Sequence, residues 1–151
     1  MSFGCRRTGA AMVAAFALSQ GCATTKPPSL RVQGLDFGKV GITGVSVDVA
    51  FMVRNVNPET LLIERFEYEL DLNGARLGRG YYADPVRIDG FKEERVVSRF
   101  DINFLSLPGS VKAILDSDRA RARARGTFFV SKGGRIESLR FDSDAEVQLR
   151  R

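Results

Sequence analysis

The sequence predicts an all-β domain, a seven-stranded antiparallel β-sandwich with one short helix. From residue 30 onward apolar and polar residues alternate in most runs, and pairs of turn-forming residues separate these runs. Successive side chains of a strand point to opposite faces, so this alternation is typical of strands with one buried face. At 151 residues, 44% hydrophobic and 27% charged, the chain has the length and composition of one globular domain.

The elements follow in chain order. Strands are predicted near residues 30–37, 45–54, 66–72, 75–82, 95–104, 119–130 and 139–150. The turns between them are marked by Asn57-Pro58, Asn73-Gly74, Asp89-Gly90 and Gly133-Gly134. Asn73-Gly74 is the strongest hairpin signal, because both residues tolerate the positive φ angles of a type I′ turn. The helix is predicted over 107–115, where Pro108 stands in an early position and apolar residues share one side. Strands at this spacing favour a sandwich of roughly 100 residues.

The N-terminal segment has the layout of an export signal. Arg6 and Arg7 precede a nine-residue apolar run, 10–18, which is far shorter than the roughly 20 residues of a membrane-spanning helix. Gly21-Cys22 follows, and this resembles a bacterial lipoprotein signal, in which the cysteine is acylated and becomes the mature N-terminus. A plain secretory signal with an incidental cysteine is the alternative interpretation. By resemblance to the sorting rule of enteric bacteria, Ala23 favours the outer membrane.

These features divide the chain into a signal peptide (1–21), a lipidated tether (22–29) and a β-domain (30–151). Loss of 1–21 removes Arg6 and Arg7, so the formal charge falls from +5 to +3, which is too mild a balance to indicate nucleic-acid binding. It also removes Cys5, so the domain after Cys22 contains no cysteine. Its stability therefore depends on apolar burial and not on disulfides.

One stretch carries a family resemblance. Residues 49–80 contain an apolar strand closed by Asn-x-Asn-Pro (Asn55, Asn57, Pro58), then the strand YELDLNG and a Gly-x-Gly close. This resembles the WHy (water stress and hypersensitive response) domain of the type 2 late-embryogenesis-abundant (LEA) proteins. The resemblance implies a seven-stranded sandwich of the immunoglobulin or fibronectin-III kind, a role in desiccation and other stress tolerance, and no enzymatic activity.

The same residues have a physical explanation as turns. Asn57 precedes a proline, which disfavours the helical region, and Pro58 has no N–H with which to continue a ladder. Asn55 and Asn57 can bond nearby backbone groups through their side chains and so fix the corner. Turn chemistry therefore accounts for the motif without a ligand.

Candidate catalytic and metal-binding residues are scarce. The chain contains no histidine, which removes the commonest general base and a usual zinc ligand, so we expect neither an enzyme nor a cofactor. Asp142, Asp144 and Glu146 share one strand face, but alternate strand residues lie about 6.6 Å apart, a spacing that suits solvated charges better than one ion. We therefore expect no metal. The expected partner is the membrane, through Cys22; a further lipid or envelope protein stays open.

The most conspicuous charged stretch is DRARARARGTFFV, in which Arg119, Arg121, Arg123 and Arg125 alternate with alanine. If 131–134 is a four-residue hairpin loop, Arg123 faces Asp142, Arg121 faces Asp144 and Arg119 faces Glu146 on the outer side. Opposite charges on neighbouring strands attract and help to fix the register. Arg125 would then face Arg140, and this pair is a candidate weak contact for anionic lipid headgroups.

Overall fold

A computed structural model describes residues 24–103, 109 and 116–150 of the chain. Within them the chain forms eight strands: β1 (Ser29–Val40), β2 (Gly44–Arg54), β3 (Leu61–Leu72), β4 (Ala75–Tyr82), β5 (Val86–Ile88), β6 (Glu93–Asn103), β7 (Arg119–Lys132) and β8 (Arg135–Arg150). The all-β prediction is confirmed. The strand that the sequence did not indicate is β5, whose three residues are too few to show an alternation.

The strands belong to one sheet with the order β4-β3-β7-β8-β1-β2-β6, and β5 pairs with the N-terminal end of β3. All neighbours are antiparallel except β1 and β8, which run parallel over three residue pairs. This continuous sheet curls until it is nearly closed into a barrel. The two separate layers of a sandwich are therefore not confirmed, and the predicted helix over 107–115 lies, apart from Gly109, outside the described residues.

The barrel closes at a seam between its two end strands, β4 and β6. Ser98 Oγ on β6 donates a hydrogen bond to the Tyr81 carbonyl on β4 at 3.2 Å. The Phe100 ring lies directly against Gly78, where a Cβ atom would approach the ring to 2.7 Å. A Cβ atom on residue 78 would force the Phe100 ring to shift, so glycine lets the ring pack directly against β4.

The interior is packed around an aromatic cluster. Phe51 meets Phe66 and Tyr68 edge-on, with ring centroids 5.6 and 4.8 Å apart, and Phe66 meets Phe128 at 5.5 Å. Edge-to-face pairs of this kind add stabilisation beyond the burial of their area. Among the described residues, every buried core residue lies between Leu30 and Leu149.

Two-residue turns connect the two long hairpins. Asn73 and Gly74 have φ angles of 46° and 84°, and Gly133 and Gly134 have 57° and 78°, all in the left-handed region that type I′ turns require. The Asn73-Gly74 hairpin is therefore confirmed. The four-residue loop over 131–134 is wrong, because Lys132 already pairs with Arg135. This tight turn shifts the β7–β8 register by two residues from the predicted one.

A two-residue shift leaves every side chain on its predicted face. The outer residues of β7 and β8 remain outer, and only the opposing partners change: Arg123 lies opposite Asp144, and Arg125 opposite Asp142. Among the described residues no helix is long and apolar enough to cross a membrane.

Candidate functional site at the Asn-x-Asn-Pro corner

Asn55 is the buried centre of the corner that follows β2, with no exposed surface. Its amide nitrogen lies 2.7 Å from the Glu59 carbonyl, 3.0 Å from the Ile88 carbonyl and 3.3 Å from the Asp89 carbonyl. Its side-chain oxygen accepts a bond of 2.9 Å from the backbone N–H of Asn57. One amide thus satisfies backbone groups of two different loops, which a side chain of another shape would leave unpaired.

Asn57 holds the tether that leads into β1. Its side-chain oxygen accepts a hydrogen bond from the Lys26 backbone N–H, and its amide nitrogen donates to the Lys26 carbonyl, both at 2.9 Å. The side-chain amide therefore pairs with the backbone of Lys26 much as a neighbouring strand would. Local turn chemistry predicted bonds to nearby backbone for Asn57, but this partner is 31 residues away. Nothing in the local sequence indicates it, because it depends on where β1 enters the barrel.

The corner also holds the turn that follows β5. The Phe91 backbone N–H donates to the Asn57 carbonyl at 3.1 Å, and the Asn55 N–H donates to the Lys92 carbonyl at 2.9 Å. Gly90 passes so close to Pro58 that a Cβ atom would lie 1.9 Å from its carbonyl oxygen. Pro58 lies four positions after the end of β2 at Arg54 and forms one wall of the passage through which this turn runs.

Phe91 is an unusual residue at this position. Its φ angle is 59°, in a region that bulky side chains rarely adopt, and 59% of its surface is exposed. It lies beside Pro58, Leu61 and Lys132 in a groove of about 310 Å³. One feature of the sequence indicates this residue: Phe91 is an apolar residue in the otherwise polar turn DGFK, outside the predicted strands.

The second asparagine turn ties the β3–β4 hairpin to β7. Asn73 Oδ1 accepts a 2.8 Å hydrogen bond from the Arg121 N–H, and the Asn73 N–H donates to the Arg121 carbonyl at the same distance. Asn73 thus combines the positive φ of the turn with a link to the neighbouring strand. Gly74 has open space around it, so conformation alone explains that glycine.

The arginines of β7 bind acids diagonally across the sheet. Arg123 forms a two-point pair with Asp142 at 2.9 and 2.6 Å, Arg121 lies 2.8 Å from Asp144, and Arg119 lies 3.6 Å from Glu146. These are the partners expected from the sequence, although the Cα register differs, because an arginine reaches an acid two positions away. The Arg123 guanidinium bond holds the pKa of Asp142 below its ordinary 3.8.

Arg125 does have an acidic partner, contrary to the arrangement expected from the predicted register. Its guanidinium lies 2.7 Å from Asp71 of β3, while its Nε is buried without a hydrogen bond. Arg125 and Arg140 both line an open groove of about 800 Å³ on the outer face, together with Glu69, Arg79 and Tyr81. The groove is therefore lined by charges of both signs.

Tyr68 is the buried titratable residue of the interior. Burial raises its pKa to about 12, while the neighbouring Ser98 hydroxyl opposes that rise. Its Oη makes no hydrogen bond of regular geometry and lies under Gly80, where a Cβ atom would come within 2.2 Å of it. The Tyr68 hydroxyl is therefore buried against the barrel wall at Gly80.

Metal ligands do not converge in residues 24–103 or 116–150, where no group of three acidic, histidine or cysteine side chains could hold an ion. Asp142 and Asp144 are bound to arginines instead. Taken together, the features define a class of protein: a nearly closed β-barrel domain whose described polar features are backbone-binding asparagines and paired surface charges.

The family follows from comparison with known proteins. A model of the LEA_2 family, described as late embryogenesis abundant protein, matches residues 50–144. This is more than half of the chain, so the chain belongs to the LEA_2 family, and the resemblance drawn from the Asn-x-Asn-Pro corner and YELDLNG is confirmed. A search of curated proteins found no match.

One of the similar solved structures supports the fold. A solution structure from Arabidopsis thaliana aligns with a TM-score of 0.65 at 15% identity and covers 90% of each chain. A second solution structure, described as a late embryogenesis abundant protein, aligns with a TM-score of 0.47 at 15% identity over 82% of this chain and 71% of its own. A crystal structure of a protein from Archaeoglobus fulgidus gives 0.42 at 18% identity over 78% and 96%.

Proposed function

We propose that this chain is a non-enzymatic envelope lipoprotein whose LEA type 2 domain protects the cell during desiccation and related stress, through weak binding to envelope components or other proteins. The observation that carries the proposal is the family match over 50–144 in a chain whose leader has the layout of a lipoprotein signal. Cys22 would carry the acyl chains, and export to the outer membrane follows from the same signal.

The outer face of the barrel fits a protein that must survive drying. Ion pairs link β7 to β8 and β3, β4 to β3, and β6 to β2: Arg119–Glu146, Arg121–Asp144, Arg123–Asp142, Arg125–Asp71, Arg76–Glu69, Arg79–Glu69 and Arg99–Asp48. Removal of water lowers the effective dielectric constant, so each attraction grows as the protein dries. Such a surface keeps the fold intact and offers only weak contacts to other molecules.

The filled interior of the barrel indicates that the protein acts through its surface. The described inward side chains form one contiguous hydrophobic cluster, with Phe51, Phe66 and Phe128 fully buried at its centre. A barrel filled in this way is typical of a structural core and not of a container for a ligand.

A deletion strain tests the proposal. Its survival after drying and osmotic shock should be several-fold below that of the parent, wild-type protein should restore it, and Cys22→Ser should not. The Cys22→Ser protein should also lose acyl labelling and partition away from membranes. A deletion strain that survives drying as well as its parent contradicts the protective role, and unchanged labelling in Cys22→Ser contradicts the lipid anchor.

The alternative is an envelope adaptor or lipid-binding module unrelated to stress. The outer groove favours it, because Tyr81 is 54% exposed there and Arg125 and Arg140 lie nearby, where they could meet an anionic headgroup. Native mass spectrometry with co-purified lipid would support a lipid-binding module, and a stoichiometric protein in a pull-down would support an adaptor. Unliganded protein without a partner favours the protective role.

A further inference from the structure

We infer that the domain sits on the bilayer in one fixed orientation, with Phe91 in contact with lipid. The inference rests on the lipid anchor at Cys22 proposed above. We call the surface formed by Lys26, Asn57, Pro58, Phe91 and Lys132 the tether end of the barrel. The occupant of this surface is the bilayer to which Cys22 is attached.

The first step is the length of the tether. Lys26 is bound by Asn57 through two hydrogen bonds of 2.9 Å, and it stands only four positions after Cys22 in the chain. An extended chain spans at most about 3.6 Å per residue, so the bound backbone lies within roughly 14 Å of the acylated residue. A tether free as far as Ser29, where β1 begins, would reach roughly 25 Å. The Asn57 bonds therefore hold the tether end close to the headgroups.

The second step is that Asn57 joins the tether to the exposed aromatic. Its side chain binds Lys26, and its backbone carbonyl accepts the N–H of Phe91 at 3.1 Å. Phe91 and the tether residues Thr25 and Lys26 also line the same groove. Ile136, 59% exposed, lies opposite Ser131, which lines this groove as well. Apolar surface is thus placed where the chain leaves for the membrane.

The third step is that the domain itself gains little from a phenylalanine at position 91. The φ angle of 59° favours glycine or asparagine, and 59% exposure leaves much of the ring in water. An outlier of this kind indicates a role outside the packing of the domain. A ring beside a lipid anchor has such a role at the membrane interface, where aromatic side chains are favoured.

Electrostatic attraction is not what holds this face to the membrane. The tether end carries Lys26 and Lys132, with Lys92 and Arg135 beside them, but Glu59, Asp89 and Glu93 lie nearby as well, so charges of both signs surround this surface. The contact should therefore form on neutral phosphatidylcholine vesicles and should not weaken in salt.

The chain contains no tryptophan, so single-tryptophan reporters can test the orientation. Phe91→Trp reports on the tether end. Ile42→Trp is the matched control, since Ile42 is fully exposed beyond the opposite end of β1. Because β1 has twelve residues, its two ends lie roughly 36 Å apart along the strand, and Ile42 follows the end far from the tether. Residues 22–151 of each variant are coupled at Cys22, their one thiol, to a maleimide lipid in phosphatidylcholine vesicles with or without brominated acyl chains.

Brominated lipid should reduce the tryptophan emission of Phe91→Trp about twofold or more, as expected for a ring at the interfacial depth of 5–10 Å. The tryptophan emission of Ile42→Trp should be the same in brominated and plain vesicles. Adding Asn57→Ala to Phe91→Trp should abolish most of this difference, with circular dichroism confirming that the barrel remains folded. Equal quenching at both positions, or none at either, would overturn the fixed orientation. Because the lipid is attached chemically, these outcomes do not depend on acylation in cells, which Cys22→Ser labelling tests separately.

Discussion

Replacement of Asn55 should be the most damaging polar substitution that the described part of the structure indicates. In Asn55→Ala three short hydrogen bonds disappear, to the Glu59 and Ile88 carbonyls and from the Asn57 N–H. Each contributes about 1 kcal/mol, and a buried group left without a partner costs about 1–3 kcal/mol more. We therefore expect a loss of about 3–5 kcal/mol, a large share of the 5–15 kcal/mol by which domains are stable.

Urea unfolding of residues 22–151, followed by circular dichroism, measures the effect. With an m-value of about 2 kcal/mol per molar, the midpoint of Asn55→Ala should fall by roughly 2 M. Ser98→Ala is the matched control, since Ser98 is also buried but donates one hydrogen bond, to Tyr81, and should cost about 1 kcal/mol. If Asn55→Ala loses no more than Ser98→Ala, Asn55 is not the centre of the corner.

Asn55→Asp adds a dependence on pH. A carboxylate would face the Glu59, Ile88 and Asp89 carbonyls, so its charged form is disfavoured and its folded-state pKa should rise above the unfolded value. A group with a raised pKa is least costly at low pH and most costly above its folded pKa. The variant should therefore approach Asn55→Ala in stability on acidification and fall below it near pH 7. A gap that widens towards low pH would refute this.

Three further substitutions are informative. In Arg123→Gln the pKa of Asp142, measured by NMR, should return towards 3.8. In the wild-type protein this pKa is lowered, so the stability that the pair contributes is present at neutral pH and is lost as the pH falls through the folded-state pKa. An unchanged pKa would exclude Arg123 as its cause. Gly126→Ala should cost about 3 kcal/mol or more in urea unfolding, since a Cβ atom would lie 1.9 Å from the Glu67 carbonyl; a loss below about 1 kcal/mol would mean that β3 and β7 separate easily. Phe91→Gly should leave thermal stability unchanged or raise it by up to about 1 kcal/mol, because it relieves the positive φ, and a clear loss would show that the ring supports the domain.

The strands were largely predictable from the sequence because their burial depends on a local period of two. β6 and β7 follow the expected alternation, and Asn73-Gly74 marked its hairpin correctly because two residues suffice to specify that turn. The assembly of strands was less predictable. Whether a curled sheet forms two layers or one near-barrel depends on pairing between distant strands, such as β1 with β8, which no local pattern encodes.

In the candidate site, too, the residues were predictable from the local sequence, whereas their distant partners were not. The pattern identified Asn55 and Asn57 as corner residues, but the partners of Asn57 come from the tether and from the turn before β6. The arginine stripe was matched to the correct acids despite a wrong register, because the outer face is preserved and arginine side chains are long. Asp71, the partner of Arg125, lies on β3, and its position depends on the order of strands in the sheet.

The parallel pairing of β1 with β8 has a consequence for the order of folding. Gly34, Leu35 and Asp36 pair with Gln148, Leu149 and Arg150, so the first strand to be synthesised completes its contacts only with the last. The β1–β8 pairing cannot form until β8 is available, since such long-range contacts form late. Loss of residues 148–150 should in turn remove the β8 partners of β1 and leave that strand, which the tether enters, paired with β2 alone.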